Sequence, residues 1–378
     1  MRGAMARVPE PPDDPGPARS ESEYEVIGGG VIDDRFPRRD GTAGSEHRLD
    51  HQPGIADILG TAVREAWDDC RMSLQSWWFW LACASGLLLA WATAAAVVAF
   101  GEANGWFESS LPSATYILMA GLMAVVSAVL GAVWGFHQKA RTFLGGLFAG
   151  VFRGAVFAVP SGILLLTVGT AVGGPIALAG AGVVVVVLEI VLFGLIGAGA
   201  RACSGRTAAG VALTAALVAF LCLGNVAATI ALIPWTTVMD QASVPVNVER
   251  DDTGRITAYE CVGRLRPVEV AHTERVAWLA ASNPILLFGS VAAETLPKEH
   301  ELAWVLSGLQ WAADGPGRDF PCIGGESSDQ LAPSVPVALT GLVIQAVVAA
   351  LVLLPGRWLS TRRLTSARSG GPQTPGQA

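Results

Sequence analysis

The chain has 378 residues, of which 52% are hydrophobic and only 15% are charged, and its formal net charge is −7. This composition is too apolar for a soluble domain of ordinary make-up, and the negative charge argues against nucleic-acid binding. We therefore predict an all-α polytopic membrane protein in contact with the lipid bilayer. The chain has two lysines and 23 arginines, and with its many Ala, Gly and Val residues this indicates a bacterial source.

Two segments precede the first apolar span. Residues 1–53 are polar and rich in Pro, Asp and Glu, which is typical of a disordered cytoplasmic tail, and they contain no apolar core of a cleavable signal peptide. In residues 54–76, apolar side chains recur every three or four positions opposite a charged face, as in an amphipathic helix. This helix could lie in the membrane interface, dock a partner subunit, or only lead into the first span.

Six stretches have the roughly 20 apolar residues that a helix needs to cross a bilayer. They are residues 77–100, 114–136, 154–173, 176–200, 208–234 and 335–354. Basic residues concentrate after the second, fourth and sixth spans, so both termini are predicted to be cytoplasmic. The predicted regions after the amphipathic helix are a five-helix transmembrane region (77–234), a mixed extracytosolic domain (235–334), the sixth transmembrane helix (335–354) and a basic cytoplasmic tail (355–378).

Glu189 is the only acidic or basic residue inside any of the six predicted spans. An ionised carboxylate at the middle of a span costs about 2.5–3.5 kcal/mol, so we expect a protonated carboxyl or one turned toward a polar partner. The candidate partners are Asn225 in the fifth span and Gln345 in the sixth. These three residues either line a translocation or proton path, or form interhelical hydrogen bonds that hold the bundle together.

The segment between the fifth and sixth spans is acidic, with thirteen acidic and seven basic residues over 241–332. It contains Cys261 and Cys322, the only two cysteines predicted to lie outside the cell, where disulfides form. A bond between them would close a loop of about 60 residues and stabilise the domain by about 4 kcal/mol. The alternative is a pair of packed thiols.

The stretch HTERVAWLAASNPILLFGSVAAETLP, residues 272–297, is close to the length of a membrane span. If it crossed, the arginine-rich C-terminus would lie outside, against the usual distribution of positive charge. We therefore expect 276–296 to form a helix that lies on, or re-enters, the outer membrane face.

The order of these elements resembles the membrane subunit of type-2 ABC exporters. The stretch over 272–297, with its His-Thr-Glu-Arg, Trp and Asn-Pro residues, is similar to one in bacterial multi-pass proteins described as ABC transporter permeases. The resemblance implies a homodimer or heterodimer in the bacterial plasma membrane, which exports a substrate with energy from a separate cytoplasmic ATP-binding subunit. The alternative is a non-transporting scaffold or a protein that binds an envelope ligand.

The sequence has no P-loop lysine, no zinc-protease helix and no G-x-S-x-G motif. We therefore expect no catalytic residue, metal or cofactor in this chain, and we expect ATP hydrolysis on the partner chain. A third hypothesis is an integral-membrane enzyme with a new kind of site. Residues 137–153 could be the element that receives the ATPase, with Lys139 and Arg141 facing water. The other interpretation is a basic loop that only fixes the topology.

Overall fold

The structure, a computed structural model, describes residues 54–105, 112–139, 142–250, 256–296, 301–316, 322–325 and 335–369. The predicted tail over 1–53 falls outside these residues. The described helices and strands, in chain order, are α1 (Ile55–Leu74), α2 (Trp77–Ala103), α3 (Pro112–Phe136), α4 (Phe143–Ala171), α5 (Ile176–Cys203), α6 (Thr207–Ala219), a π-helical turn (Phe220–Gly224), α7 (Asn225–Thr236), β1 (Thr237–Arg250), β2 (Ile256–Ala271), α8 (Glu274–Ala281), α9 (Pro284–Thr295), α10 (Glu301–Leu306), α11 (Gly308–Asp314) and α12 (Val337–Ser369).

Six helices in the described part of the chain are long and apolar enough to cross a membrane, which confirms the prediction of an all-α polytopic protein. They are α2, α3, α4, α5, the continuous unit of α6, the π turn and α7, and α12. We call the end of the bundle where α7 passes into β1 the hairpin end, and the end where α2 begins the tail end. An even number of crossings puts the start of α2 and the end of α12 at the same end.

The third membrane helix begins earlier than the sequence suggested. α4 starts at Phe143, whereas the predicted span started at residue 154. Thr142 caps this start, since its hydroxyl oxygen accepts a hydrogen bond from the backbone N–H of Gly145 at 3.0 Å. The residues between 143 and 153, expected in a loop, therefore extend the helix at the tail end.

α5 lies at the centre of the bundle, and small residues allow its neighbours to approach closely. A Cβ atom at Gly135 of α3 would overlap the carbonyl oxygen of Gly194, and one at Gly197 would overlap that of Ala132. The backbones of α3 and α5 are therefore in direct contact, as small residues permit in membrane bundles. Only glycine fits at Gly135 and Gly197.

α1 packs along the first turns of α4 through its small and polar residues. Ala62, Ala66 and Asp69 are buried, whereas bulky apolar residues of α1 are exposed. The exposed set is Ile55, Ile58, Leu59, Val63, Trp67 and Met72. Arg153, which the sequence placed in a basic loop, is buried in α4 and forms an ion pair with Asp69 at 2.8 Å. The guanidinium faces the helix α1 and not water.

The stretch over 272–297 forms two short helices, α8 and α9, bent by 102° relative to each other. α8 runs beside α12, where a Cβ atom at Gly341 would overlap the carbonyl oxygen of Ala281. α9 returns beside α3 and α5, with Phe288 against Gly121 and Gly182. A helix lying on the surface would make none of these contacts.

Both ends of the α8–α9 pair lie at the hairpin end. Thr273, just before α8, donates its hydroxyl to the carbonyl of Ala312 in α11 at 2.7 Å. The side-chain oxygen of Gln310, also in α11, accepts from the N–H of Val337 at the start of α12 at 2.8 Å. Gly289 of α9 in turn faces α10, which directly precedes α11. The pair is therefore re-entrant and does not cross the bundle.

Between the fifth membrane helix and α8, the strands β1 and β2 form a long antiparallel hairpin. Cys261 of β2 is bonded to Cys322. The chain next to Cys322 also pairs with β1, because Ser243 N–H donates to the Cys322 carbonyl at 3.1 Å and Gly324 N–H donates to Gln241 at 2.8 Å. Within the region 235–334, which was predicted to be an extracytosolic domain, α8 and α9 pack against α3, α5 and α12.

Candidate functional site

The structure brings two of the three predicted polar residues into direct contact. Gln345 of α12 donates from Nε2 to Oε1 of Glu189 at 2.9 Å. Both side chains are fully buried, with no exposed surface. Glu189 lies near the middle of α5, so this hydrogen bond joins the central helix to α12 within the apolar part of the bundle.

The break between α8 and α9 supplies further members of the site. Gln345 Nε2 also donates to the carbonyl oxygen of Ser282 at 3.0 Å. The next residue, Asn283, caps α9 by accepting the N–H of Ile285 at 2.9 Å, and Pro284 starts the helix with a φ angle already suited to it. The order Ser-Asn-Pro therefore explains why the helix ends and restarts here.

Asn225, the third predicted residue, forms no hydrogen bond with Glu189. Its Nδ2 donates to the hydroxyl of Ser282 at 3.1 Å, and its Oδ1 accepts the N–H of Val226 at 2.8 Å. Asn225 directly follows the π-helical turn, and Asn283 donates to the carbonyl of Cys222 in that turn at 2.7 Å. π-helical turns of this kind occur frequently at functional sites.

We call Glu189, Asn225, Ser282, Asn283 and Gln345 the polar junction. It links α5, α7, α12 and the α8–α9 break through side-chain hydrogen bonds, and all five residues are buried. Two of its atoms, Glu189 Oε2 and Gln345 Oε1, have no hydrogen-bond partner among the residues that the structure describes. The junction thus keeps one carboxyl oxygen and one amide oxygen with unused hydrogen-bonding capacity, which suits it to hold or pass a proton.

An apolar groove runs beside the polar junction. It lies between α3 and α6, has a volume of about 540 Å³, and is lined mainly by aliphatic side chains such as Val129 and Val211. Cys222 and Ile285, neighbours of the junction, also line it. The groove therefore leads from the outer surface of the helix bundle toward the re-entrant helices.

A second polar cluster lies at the base of the β-hairpin, outside the membrane-spanning helices. His272 bridges two carboxylates, with Nδ1 2.7 Å from Glu274 Oε1 and Nε2 2.9 Å from Asp240 Oδ2. The hydrogen bond with Glu274 is the main cause of a raised pKa of His272, and Asp240 adds to it, whereas partial burial and the charge of Arg275 oppose it. A protonated His272 therefore ties β1 to the first turn of α8.

This cluster predicts a stability that depends on pH. The raised pKa means that His272 binds a proton more tightly in the folded than in the unfolded chain, so its contribution is complete below its ordinary pKa of 6.5 and is lost as the pH rises through the folded value. We expect the melting-temperature difference between the wild type and His272→Gln to shrink at alkaline pH. His137→Gln, an exposed histidine at the tail end, is the control. A difference that stays constant with pH would contradict the prediction.

Of the two predicted ATPase-coupling residues, only Lys139 belongs to the described part of the chain, and it lies at the tail end. Lys139 is exposed in the connection between α3 and α4, and Arg141 falls outside the described residues. Close to Lys139 in the sequence, Thr142 donates its hydroxyl to Oε2 of Glu65 in α1 at 2.6 Å, so this connection is attached to α1.

Among the described residues, no group of three or more His, Cys, Asp or Glu side chains could hold a metal ion.

Sequence reasoning missed Ser282, Asn283, the His272 cluster and the partner of Arg153. The Asn-Pro pair inside an apolar stretch was a usable signal, because Asn favours the cap of a helix and Pro its first turn. No comparable signal pairs Asp69 with Arg153, which are 84 positions apart.

Comparison of the chain with models of known protein families finds no match, and neither curated proteins nor solved structures give one.

Proposed function

We propose that this chain is the membrane-spanning permease subunit of an ABC-type transporter, which exports its substrate with energy from a separate cytoplasmic ATPase. The polar junction is the observation that carries the proposal. Ionisable and polar residues inside a membrane bundle are costly and usually mark substrate or ion pathways. Broken helices at this depth are likewise typical of transporters, where they are sheltered within protein. The junction combines both features around Glu189.

The apolar groove supports an amphiphilic substrate. Its lining is almost entirely apolar, and it includes Cys222 and Ile285, which are neighbours of the polar junction. A molecule with an apolar body and a polar group could place the body between α3 and α6 and bring the polar group toward the break between α8 and α9. Such a route would take substrate directly from the bilayer.

The tail end supports the docking of an ATPase. The bulky apolar side chains of α1 are exposed, and Lys139 is exposed in the connection that follows α3. α1 is joined to α4 by the Arg153–Asp69 ion pair and to the α3–α4 connection by Glu65. A force on α1 would therefore reach two membrane helices. The proposal includes a dimer of such subunits, identical or different.

The test of this function is reconstitution with the ATPase. The tagged protein, solubilised from membranes of its own host, should retain a P-loop ATPase, and the pair in liposomes should move an amphiphilic fluorescent probe only with hydrolysable ATP. Ile58→Asp in α1 should lose the ATPase, whereas the control Val248→Asp on the β-hairpin should keep it. A chain that purifies alone and supports no ATP-dependent flux would overturn the proposal.

The disulfide-bonded hairpin favours a second candidate function, the binding of a cell-envelope ligand without transport. β1, β2 and the segment around Cys322 form a small unit beyond the bundle, stabilised by a covalent bond. In this case purified protein should bind an envelope fraction through the hairpin, and the Val248→Asp variant should weaken that binding. ATP should have no effect.

We further propose that the protein resides in the bacterial plasma membrane with the tail end cytoplasmic. Arg201 and Arg206 lie at the tail end, in keeping with the usual bias of positive charge toward the cytoplasm. In a Cys203→Ser background, a cysteine at Val248 should react with an impermeant maleimide in intact cells. A cysteine at Lys139 should react only after permeabilisation. The reverse pattern would invert the proposed orientation.

Variants of Glu189 separate a role in transport from a role in packing. Glu189→Gln keeps an acceptor for Gln345 and should fold normally, whereas Glu189→Leu removes the partner of a buried amide and should cost about 1–3 kcal/mol. If the carboxyl titrates during transport, the Gln variant should lose the pH dependence of flux. Ser127→Ala is the control, because its hydroxyl bonds only within α3. Identical flux profiles for wild type and Glu189→Gln would leave the residue a packing role alone.

A further inference from the structure

A cleft at the tail end has the chemistry of an anion site. It lies between α3, α5 and α12, has a volume of about 240 Å³, and includes Arg201 and Arg357 in its lining. Gln138, Thr142 and Ser360 supply the polar uncharged part of the wall. None of the lining residues in the described part of the chain is a carboxylate.

Close helix packing brings the two arginines together. A Cβ atom at Gly199 of α5 would lie 2.8 Å from the Cα of Leu353 in α12, and one at Gly356 would lie 2.7 Å from the carbonyl oxygen of Gly199. The two helices therefore cross in contact at these glycines. Arg201 and Arg357 follow the crossing directly on the two helices, so both reach the same cleft.

The arginines are held in place but keep donors for a ligand. The guanidinium of Arg201 lies 5.5 Å from the centre of the Phe136 ring, and that of Arg357 lies 5.4 Å from the centre of the Phe143 ring. Arg201 also donates to the Thr207 hydroxyl at 3.1 Å. Neither arginine forms an ion pair with a carboxylate among the described residues. A guanidinium is always charged and has five N–H donors, so most of its donors remain for an anion.

Gln138 adds an independent sign of a ligand. Gln138 lines the cleft, and its buried side-chain nitrogen Nε2 has no hydrogen-bond partner within the described part of the chain. A buried amide nitrogen without a partner is unfavourable by itself, and an acceptor oxygen in the cleft would satisfy it. The guanidinium groups of Arg201 and Arg357 and the side chain of Gln138 thus line the same cleft.

We propose that this cleft binds a phosphate group, and its position favours the headgroup of an anionic phospholipid. It lies where the apolar parts of α3, α5 and α12 end, which is the level of the lipid headgroups, and basic pockets between membrane helices bind such groups. Arg201 and Arg357 bind the phosphate oxygens, and Gln138 donates a further hydrogen bond. The proposal does not depend on transport activity.

The test uses the full-length protein in a neutral detergent. Native mass spectrometry with dioleoyl phosphatidylglycerol should show one lipid bound per chain with higher affinity than dioleoyl phosphatidylcholine. The double variant Arg201→Gln/Arg357→Gln should bind phosphatidylglycerol about thirtyfold more weakly, while the control Arg206→Gln, exposed at the same end, should bind as the wild type does. Ser360→Asp, which adds a negative charge to the cleft, is a second variant with the same expected direction.

A second arm distinguishes the source of the phosphate. Inorganic phosphate is titrated into the lipid-free protein by calorimetry. Binding of phosphatidylglycerol without measurable binding of inorganic phosphate identifies a lipid site, and saturable phosphate binding that is lost in the double variant identifies a site for a soluble phosphate. Equal phosphatidylglycerol affinity in the wild type, the double variant and Ser360→Asp would overturn the proposal, as would an equal loss in Arg206→Gln.

Discussion

Replacing Arg153 with methionine is expected to destabilise the protein by about 3–5 kcal/mol, because it leaves the carboxylate of Asp69 buried without its counter-ion. Arg153 Nη2 lies 2.8 Å from Asp69 Oδ2 and also donates to the Ser73 hydroxyl at 2.9 Å. The side chains of the pair are only 6% and 8% exposed, so water cannot compensate for the loss. The effect should be largest where α1 packs on α4.

The measurement is thermal unfolding in detergent, together with hydrogen exchange in α1. Asp69→Leu combined with Arg153→Met removes both charges and should recover part of the lost stability, as buried pairs generally allow. Arg64→Met, on the exposed face of α1, is the matched control. If Arg153→Met unfolded at the same temperature as Arg64→Met, the ion pair would not be what fixes α1 to the bundle.

Removing the disulfide is expected to cost about 4 kcal/mol on the chain-entropy model, which makes it the other large effect. Cys261 and Cys322 are 61 positions apart, and the loop between them contains the whole α8–α9 pair. In the reduced chain this loop gains freedom on unfolding. Cys322→Ser should therefore destabilise the hairpin unit, while the membrane helices outside the loop keep their packing.

The check compares wild type and Cys322→Ser with and without reductant. Reductant should lower the melting temperature of the wild type toward that of the variant and leave the variant unchanged. Cys203→Ser, which changes a cysteine outside the disulfide at the tail end, should respond as the wild type does. A wild type that is insensitive to reductant even after partial unfolding would argue against a stabilising role for the bond.

The candidate site was only partly accessible from sequence. Glu189 is noticeable in sequence because it is the only charged residue type in its span, and Asn225 and Gln345 are the amide side chains of the two following spans. Sequence could not choose between these two partners, since the choice depends on the rotation and depth of each helix. The structure places Gln345 on Glu189 and connects Asn225 to them through Ser282.

What the sequence by itself determined is the number of membrane helices and their approximate limits. This follows from the bilayer, because a helix must present about 20 apolar residues to cross it, whatever its neighbours are. The sequence also contains the signal for the helix break, Asn283 followed by Pro284, because a helix cap depends on local hydrogen bonds. The predicted start of the third span, residue 154, was about three helical turns too late. Arg153 is charged and therefore seemed to lie outside the membrane helix, whereas in the structure it is buried in an ion pair with Asp69 of α1.

The tertiary structure alone decided that the stretch over 272–297 re-enters the bundle. Its length and composition allow a span, a surface helix or a re-entrant pair, and these differ only in which helices the stretch contacts. Gly341, Gly121 and Gly182 leave room for α8 and α9 against three different helices. At the break, where the regular hydrogen bonds of a helix are interrupted, Gln345 donates a hydrogen bond to the carbonyl oxygen of Ser282. The physical reason is that buried backbone groups must form hydrogen bonds. Their partners lie in distant parts of the sequence, and sequence separation does not indicate which parts these are.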